Sequence, residues 1–251
     1  MVPDLLALRK DRMKPDPATS FSDREVQLWH IPLFVPQEHR TTAESLLSEE
    51  ERAHMTRLAT PSRRASFLAS RAALRLILSR NLNLSPSELN LIQGPTGKPA
   101  LLSPSPVQIH FNLSHSKDLC LFAVCQHMEL GIDVEYIRPN VDCEKIARRF
   151  FAQSEVLSLS QADPPWNPTA FFRIWTRKEA LLKGLGGSIT DLFHRNNPSL
   201  ENTGWSILSL QLGQGYVGAL ATDPGLNKIT YLEFSWTEPY SRGGFWHSKE
   251  N

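Results

Sequence analysis

At 251 residues, with 41% hydrophobic and 21% charged side chains, the chain can bury a sizeable core without disulfides or structural metals, and disordered, fibrous and coiled-coil proteins are excluded. Its 27 basic and 26 acidic side chains leave a net charge of +1, so no global field draws it to nucleic acid or to an anionic membrane. The cysteines, Cys120, Cys125 and Cys143, are an odd count without CxxC spacing and support neither a disulfide framework nor a zinc site.

Residues 1–25 are polar and proline-containing and read as a loose arm. VQLWHIPLF, 26–34, predicts a strand. Ser48 and Glu51 have the spacing of a capping box, and Pro61 suits the first turn of a long helix to about Arg80, with Phe67, Leu68, Leu74, Ile77 and Leu78 as its buried stripe. From Arg52 to Arg80 there is no acidic residue, whereas Arg52, Arg57, Arg63, Arg64, Arg71, Arg75 and Arg80 are all cationic. Helices usually balance such charges with carboxylates at i±4, so an anionic ligand or partner competes here with a plain solvated face.

GPTGKP, 94–99, lacks the Ser or Thr of a phosphate loop and instead reads as a turn that presents Lys98. VQIHFNLSHS, 107–116, predicts a strand ending in a polar turn, and LCLFAVC (119–125) with LGIDVEYI (130–137) predicts an antiparallel hairpin. Helices follow around 142–152 and from Ser154. Asn167-Pro168 opens a periodic helix to about Leu182, ended by Gly184, Gly186 and Gly187. Strands around 205–212, 216–222 and 229–236 close the domain, and the tail from Thr237 reads as poorly ordered. Free thiols, a short apolar run near the start and no window long enough to cross a bilayer predict a cytoplasmic protein.

Two carboxylates carry the chemistry of the predicted strand at 130–137. Side chains alternate along a strand, so Asp133 and Glu135 share one face while Ile132, Val134 and Tyr136 take the other. About 7 Å apart, at an effective dielectric of about 20, they repel by roughly 2 kcal/mol. Basic neighbours or a hard divalent cation would offset that, the alternative being a solvated strand face. In the helix that contains RIWTRKEALLKGLG (173–186), Phe171, Ile174, Leu181 and Leu185 form the core stripe, while Trp175, Glu179 and Lys183 lie four apart on a neighbouring one. Glu179 and Lys183 have the spacing of an ordinary helix ion pair. Glu179 also offers a third acidic ligand for a magnesium ion, which takes one or two carboxylates and fills its shell with water and phosphate oxygens.

G-I-D-V-E, 131–135, followed about forty residues later by W-T-R-K-E-A-L-L-K, 175–183, resembles the 4′-phosphopantetheinyl transferases. Gly97-Lys98-Pro99 and F-N-L-S-H-S, 111–116, are similar to the larger, surfactin-type branch. The resemblance covers most of residues 48–187 and implies an α+β fold of two similar lobes related by a pseudo-twofold axis, each an antiparallel sheet packed with helices. It places an N-terminal lobe at 26–116, a C-terminal lobe carrying the metal site at 117–236 and a flexible tail at 237–251, in a monomer. The implied reaction is transfer of the phosphopantetheine arm of coenzyme A to a serine of an apo acyl or peptidyl carrier protein, with release of adenosine 3′,5′-bisphosphate. By the same resemblance Asp133, Glu135 and Glu179 are magnesium ligands. Glu179 is also the candidate base and Lys183 the lysine that stabilises the leaving phosphate. Lys98, Ser114, His115 and Lys178 would contact coenzyme A, with Arg64 and Arg71 as looser assignments. A non-catalytic coenzyme A or carrier-binding protein is the rival reading, against which the intact Asp133, Glu179 and Lys183 stand.

Overall fold

The computed structural model describes residue 22 and residues 24–94, 99–102, 108–187, 200, 203–213 and 215–237. Most of the expected arm and tail lies outside them, as does Lys98. The elements in chain order are β1 (Glu25–Pro32), α1 (Arg40–Leu46), α2 (Glu49–Arg57), α3 (Pro61–Leu82), β2 (Leu91–Gln93), β3 (Pro99–Leu101), β4 (Ile109–Ser116), β5 (Leu119–Gln126) and β6 (Leu130–Tyr136). There follow α4 (Cys143–Phe150), α5 (Gln153–Ser160), α6 (Pro168–Gly184), β7 (Ser206–Leu210), β8 (Tyr216–Thr222) and β9 (Lys228–Glu233). The fold is α+β. One sheet has the order β4-β5-β1-β9, a second the order β6-β8-β7, and β2 pairs with β3 alone.

Four of the helices, α2, α3, α4 and α6, begin where an N-cap side chain accepts from a free amide. Ser48 and Glu51 close the capping box of α2, the Oγ accepting from the Glu51 N–H at 3.2 Å and the carboxylate from the Ser48 N–H at 2.9 Å. Thr60 Oγ1 caps α3 ahead of Pro61, and Asn83 ends that helix in the left-handed region. Asn167 Oδ1 accepts from the amides of Thr169 and Ala170 to start α6. No helix among the described residues is long and apolar enough to cross a membrane.

The apolar stripe of α3 packs Leu74, Ile77 and Leu78 with Trp29 and Phe122 on one face of the first sheet. The opposite face of β1 and β5, through Val26, Leu28, Leu121 and Ala123, shares a second core with Ile132, Val134 and Leu220 of the second sheet. A third core gathers Phe151, Phe171 and Phe172 under α4 to α6. Strands buried on both faces read as continuous apolar runs, which is the pattern of β5.

Two arginines of α3, Arg71 and Arg75, have a carboxylate partner, supplied from outside the window in which acids are absent. Glu51 reaches across from α2 to Arg75 at 2.7 Å and to Arg71 at 3.5 Å. Arg75 is buried and also donates to the carbonyls of Pro86 and Leu89. The solvated face and the unpartnered cation are therefore both wrong for Arg75, which is part of the core.

The expected hairpin of 119–125 with 130–137 does not form. β5 pairs with β4 and β1, whereas β6 crosses into the second sheet and pairs with β8. The hairpin is instead β4–β5, closed by the two-residue loop Lys117–Asp118 between the paired residues Ser116 and Leu119. The expected lobe boundary near 117 thus falls at the turn of one hairpin, and the chain leaves the first sheet for the second between β5 and β6. β9 also returns to the first sheet, alongside β1.

The glycine of G-I-D-V-E has a packing role. A Cβ on Gly131 would sit 2.1 Å from the carbonyl oxygen of Ala180 and 2.3 Å from the amide nitrogen of Gly184. The backbone of α6 therefore rests directly on β6, bringing the face of Glu179 and Lys183 beside Asp133 and Glu135.

Candidate active site

Between α3, β4, β6 and α6 lies a cleft of about 850 Å³. Arg63, Ser66, Phe67, Ser70 and Arg71 line it from α3, Ser114 and His115 from β4, Asp133 and Glu135 from β6, and Trp175, Glu179 and Lys183 from α6. Helix spacing of four residues puts the last three on one side of α6, and strand alternation puts the two β6 carboxylates on one face.

Asp133 is 4% exposed and central to the site. Its Oδ1 accepts from the Lys183 ammonium at 2.6 Å and from the Ser114 hydroxyl at 2.8 Å. Its Oδ2 is buried without a hydrogen-bond partner. Burial pushes the Asp133 pKa up, against the opposing pull of Lys183 and the hydrogen bonds. Glu135 is also raised, first by burial and then by Asp133, although Ser116 donates to it at 2.8 Å. Glu179 is pushed up to about 7 by burial, then by Asp133 and Glu135, with Lys183 acting in the other direction. The walls of the cleft around its exposed ring, and then Lys183, hold the His115 imidazole below its ordinary pKa.

Asp133 and Glu135 have cationic neighbours, Lys183 at 2.6 Å and Arg138 at 3.9 Å, yet burial still pushes the pKa of all three carboxylates up. That is a demand for a cation with oxygen ligands, and the orphaned Asp133 Oδ2 is a lone pair ready for one. The residues fit magnesium in donor chemistry. They are not, however, a closed cage: among the described residues no three His, Cys, Asp or Glu side chains converge at metal-ligand spacing. Part of the coordination would have to come from water and a phosphate-bearing ligand.

The other expected contacts divide. His115 and Arg71 border the cleft with Asp133, Glu135, Glu179 and Lys183. Ser114 borders it too, but its hydroxyl accepts from Lys183 and the Val134 amide and gives its one proton to Asp133, so no donor remains for a phosphate. Arg64 lines a separate cavity with Arg40 and Met55. Lys178 is displaced most. One residue before Glu179, it is turned about 100° away around the helix. It is 2% exposed, lies 2.9 Å from Glu155 and sits over the Phe151 ring. It is a structural lysine of the third core, and not a coenzyme A contact in this arrangement. Lys178→Met, which strands the Glu155 carboxylate, should cost about 3 kcal/mol of stability, read from urea midpoints. An unchanged midpoint would return Lys178 to the list of ligand contacts.

The sequence reading missed two residues. Ser116, in the F-N-L-S-H-S motif, holds Glu135, a role that its alternation with Ser114 could have indicated. Lys117, in the β4–β5 loop at a φ of 54°, lines the cleft with its ammonium 3.9 Å from the centre of the Tyr136 ring. Nothing in local sequence marks it.

Carboxylates, a lysine and a histidine thus gather around one cleft. Comparison with known proteins gives the chain a family. Residues 129–230 match the model of the 4′-phosphopantetheinyl transferase superfamily, and residues 35–127 match that of the 4′-phosphopantetheinyl transferase N-terminal region. The 4′-phosphopantetheinyl transferase HetI of Nostoc sp. is 37% identical over 217 residues, covering 83% of this chain and 91% of that protein. The transferase AcpT of Salmonella typhimurium is 40% identical over 126 residues, half of this chain and 61% of its own length. Sfp of Bacillus subtilis is 27% identical over 193 residues, 75% of this chain and 83% of that protein. The chain belongs to the 4′-phosphopantetheinyl transferase superfamily and is a transferase. Surfactin-type relatives are among its homologues, while HetI and AcpT, from other branches, match at higher identity. The two matched regions meet between β5 and β6, where the chain passes from one sheet to the other.

Proposed function

We propose that the protein transfers the 4′-phosphopantetheine arm of coenzyme A to a serine hydroxyl of an apo acyl or peptidyl carrier protein. The carrier serine Oγ bonds to the phosphorus that bears the pantetheine, the bond from that phosphorus to the bridging oxygen breaks, and adenosine 3′,5′-bisphosphate leaves. The attacking hydroxyl comes from the partner, so the chain itself needs no activated nucleophile. The observation that carries this reading is the meeting of Asp133, Glu135, Glu179 and Lys183 in one cleft.

Asp133, Glu135 and Glu179 would hold magnesium, which would supply Lewis-acid screening of the pyrophosphate charge. Lys183 would donate to the leaving phosphate, exchanging its contact with Asp133 Oδ1 for a phosphate oxygen. Glu179, with a pKa of about 7, is suited to accept the serine proton near neutral pH. A cation beside it would lower that pKa, which favours relay through a water over direct contact. His115, kept neutral, and Arg71, at the wall of the cleft, face the phosphates of the donor.

Protein, coenzyme A, magnesium and an apo carrier protein are mixed, and the carrier is weighed. Its mass should rise by that of the phosphopantetheine arm. An unchanged mass for fatty-acid, polyketide and peptide carriers alike would overturn the proposal. Tight coenzyme A binding in that case would establish the binding-protein reading instead.

A further inference from the structure

β4 ends the first sheet and β6 ends the second, and the two strands do not pair. Side chains close the gap. Asn112 Oδ1 accepts from the Ile132 amide at 2.9 Å, Ser114 Oγ from the Val134 amide at 3.3 Å and Ser116 Oγ from the Tyr136 amide at 3.1 Å. The three acceptors alternate along β4, so they leave one side of the strand. Each lies 20 residues before its donor, so the two edges run in the same direction and hold register over three rungs. Without them, β6 would present a row of unpaired amides to the sheet junction.

Two of the rungs have a second bond. A serine hydroxyl has one proton, and an Oγ that already accepts from an amide is oriented by it. Ser114 directs its proton to Asp133 Oδ1 and Ser116 directs its proton to Glu135 Oε2, both at 2.8 Å. Among the described residues Asn112 bonds the Ile132 amide and no carboxylate. Ser114 is also tied to Lys183, whereas Ser116 touches the site through Glu135.

We propose that Ser116 is a positioning residue for Glu135, fixing the carboxylate so that its other oxygen is presented to the cleft for a divalent cation. Glu135 has a long side chain, and holding it before the ligand arrives removes part of the ordering cost of binding. The ladder that joins the two sheets thereby also aims the acidic pair. This inference rests on the metal reading of the proposed function.

Asn112 supplies the internal control, since it braces the junction without touching a carboxylate. Manganese binding in the presence of coenzyme A is followed by electron paramagnetic resonance for the wild type, Ser116→Ala, Ser116→Thr, Asn112→Ala and Asp133→Ala, with thermal melts in parallel. Ser116→Ala should bind manganese about tenfold more weakly, and Ser116→Thr, which keeps the hydroxyl, should restore binding. Asn112→Ala should melt earlier with its manganese affinity unchanged. Equal affinity in Ser116→Ala and wild type, or an equal loss in Asn112→Ala, overturns the positioning role even where the wild type binds manganese through Asp133. A wild type that binds no manganese overturns the metal reading and this inference together.

Discussion

Asp133→Ala is expected to lower phosphopantetheine transfer at least about a thousandfold, because the several kcal/mol that a correctly held cation supplies correspond to that factor. The substitution removes the free Oδ2 and, with Oδ1, the group that holds Lys183 and Ser114. Folding should survive it. The carboxylate is desolvated, with its pKa raised, so its charged form opposes the folded state near neutral pH. Carrier mass measured over a time course checks the first claim, and the melting temperature in a chelator checks the second. A variant with full transfer activity would remove Asp133 from the metal site. A variant that is inactive but unfolded would leave only a structural role, so the two readouts have to be taken on the same sample.

The parts of this site that were legible in sequence are those set by periodicity. Asp133 and Glu135 share a strand face because they are two apart, and Trp175, Glu179 and Lys183 share a helix face because they are four apart. The same rule argues against Lys178, which is adjacent to Glu179 and so does not share its face. The local pattern at Glu51 shows a cap and does not show that the same carboxylate reaches Arg71 and Arg75 on the next helix. The strand partners of β5 are not legible locally, because two apolar strands with a short link look like a hairpin. The pairing is fixed instead by Lys117–Asp118, a loop with no glycine to announce it. Ser116 stands in the F-N-L-S-H-S motif, but its role is not local, because its partner Glu135 is 19 residues away and on a different sheet.

Glu179→Gln should separate what the site costs from what it does. In chelator, the folded protein binds the Glu179 proton up to a pH of about 7, against a reference value of 4.5 for the unfolded chain. A raised carboxylate pKa means that folding stability is full at low pH and is lost as pH rises from 4.5 through about 7. The difference of about 2.5 pH units corresponds to at most about 3 kcal/mol, shared with Asp133 and Glu135, which repel the same charge. Glutamine keeps the shape and has no charge to desolvate. At pH 8 in chelator the variant should therefore melt above the wild type, and near pH 4.5 the gap should close. With magnesium and coenzyme A present the order should reverse, since only the wild type gains the full binding contribution to stability. Transfer should fall at least about a hundredfold, the usual scale for removing a general base. A chelated variant less stable than the wild type at pH 8 would show that Glu179 is held by a stabilising partner, and the reading of three mutually repelling carboxylates awaiting a cation would fail.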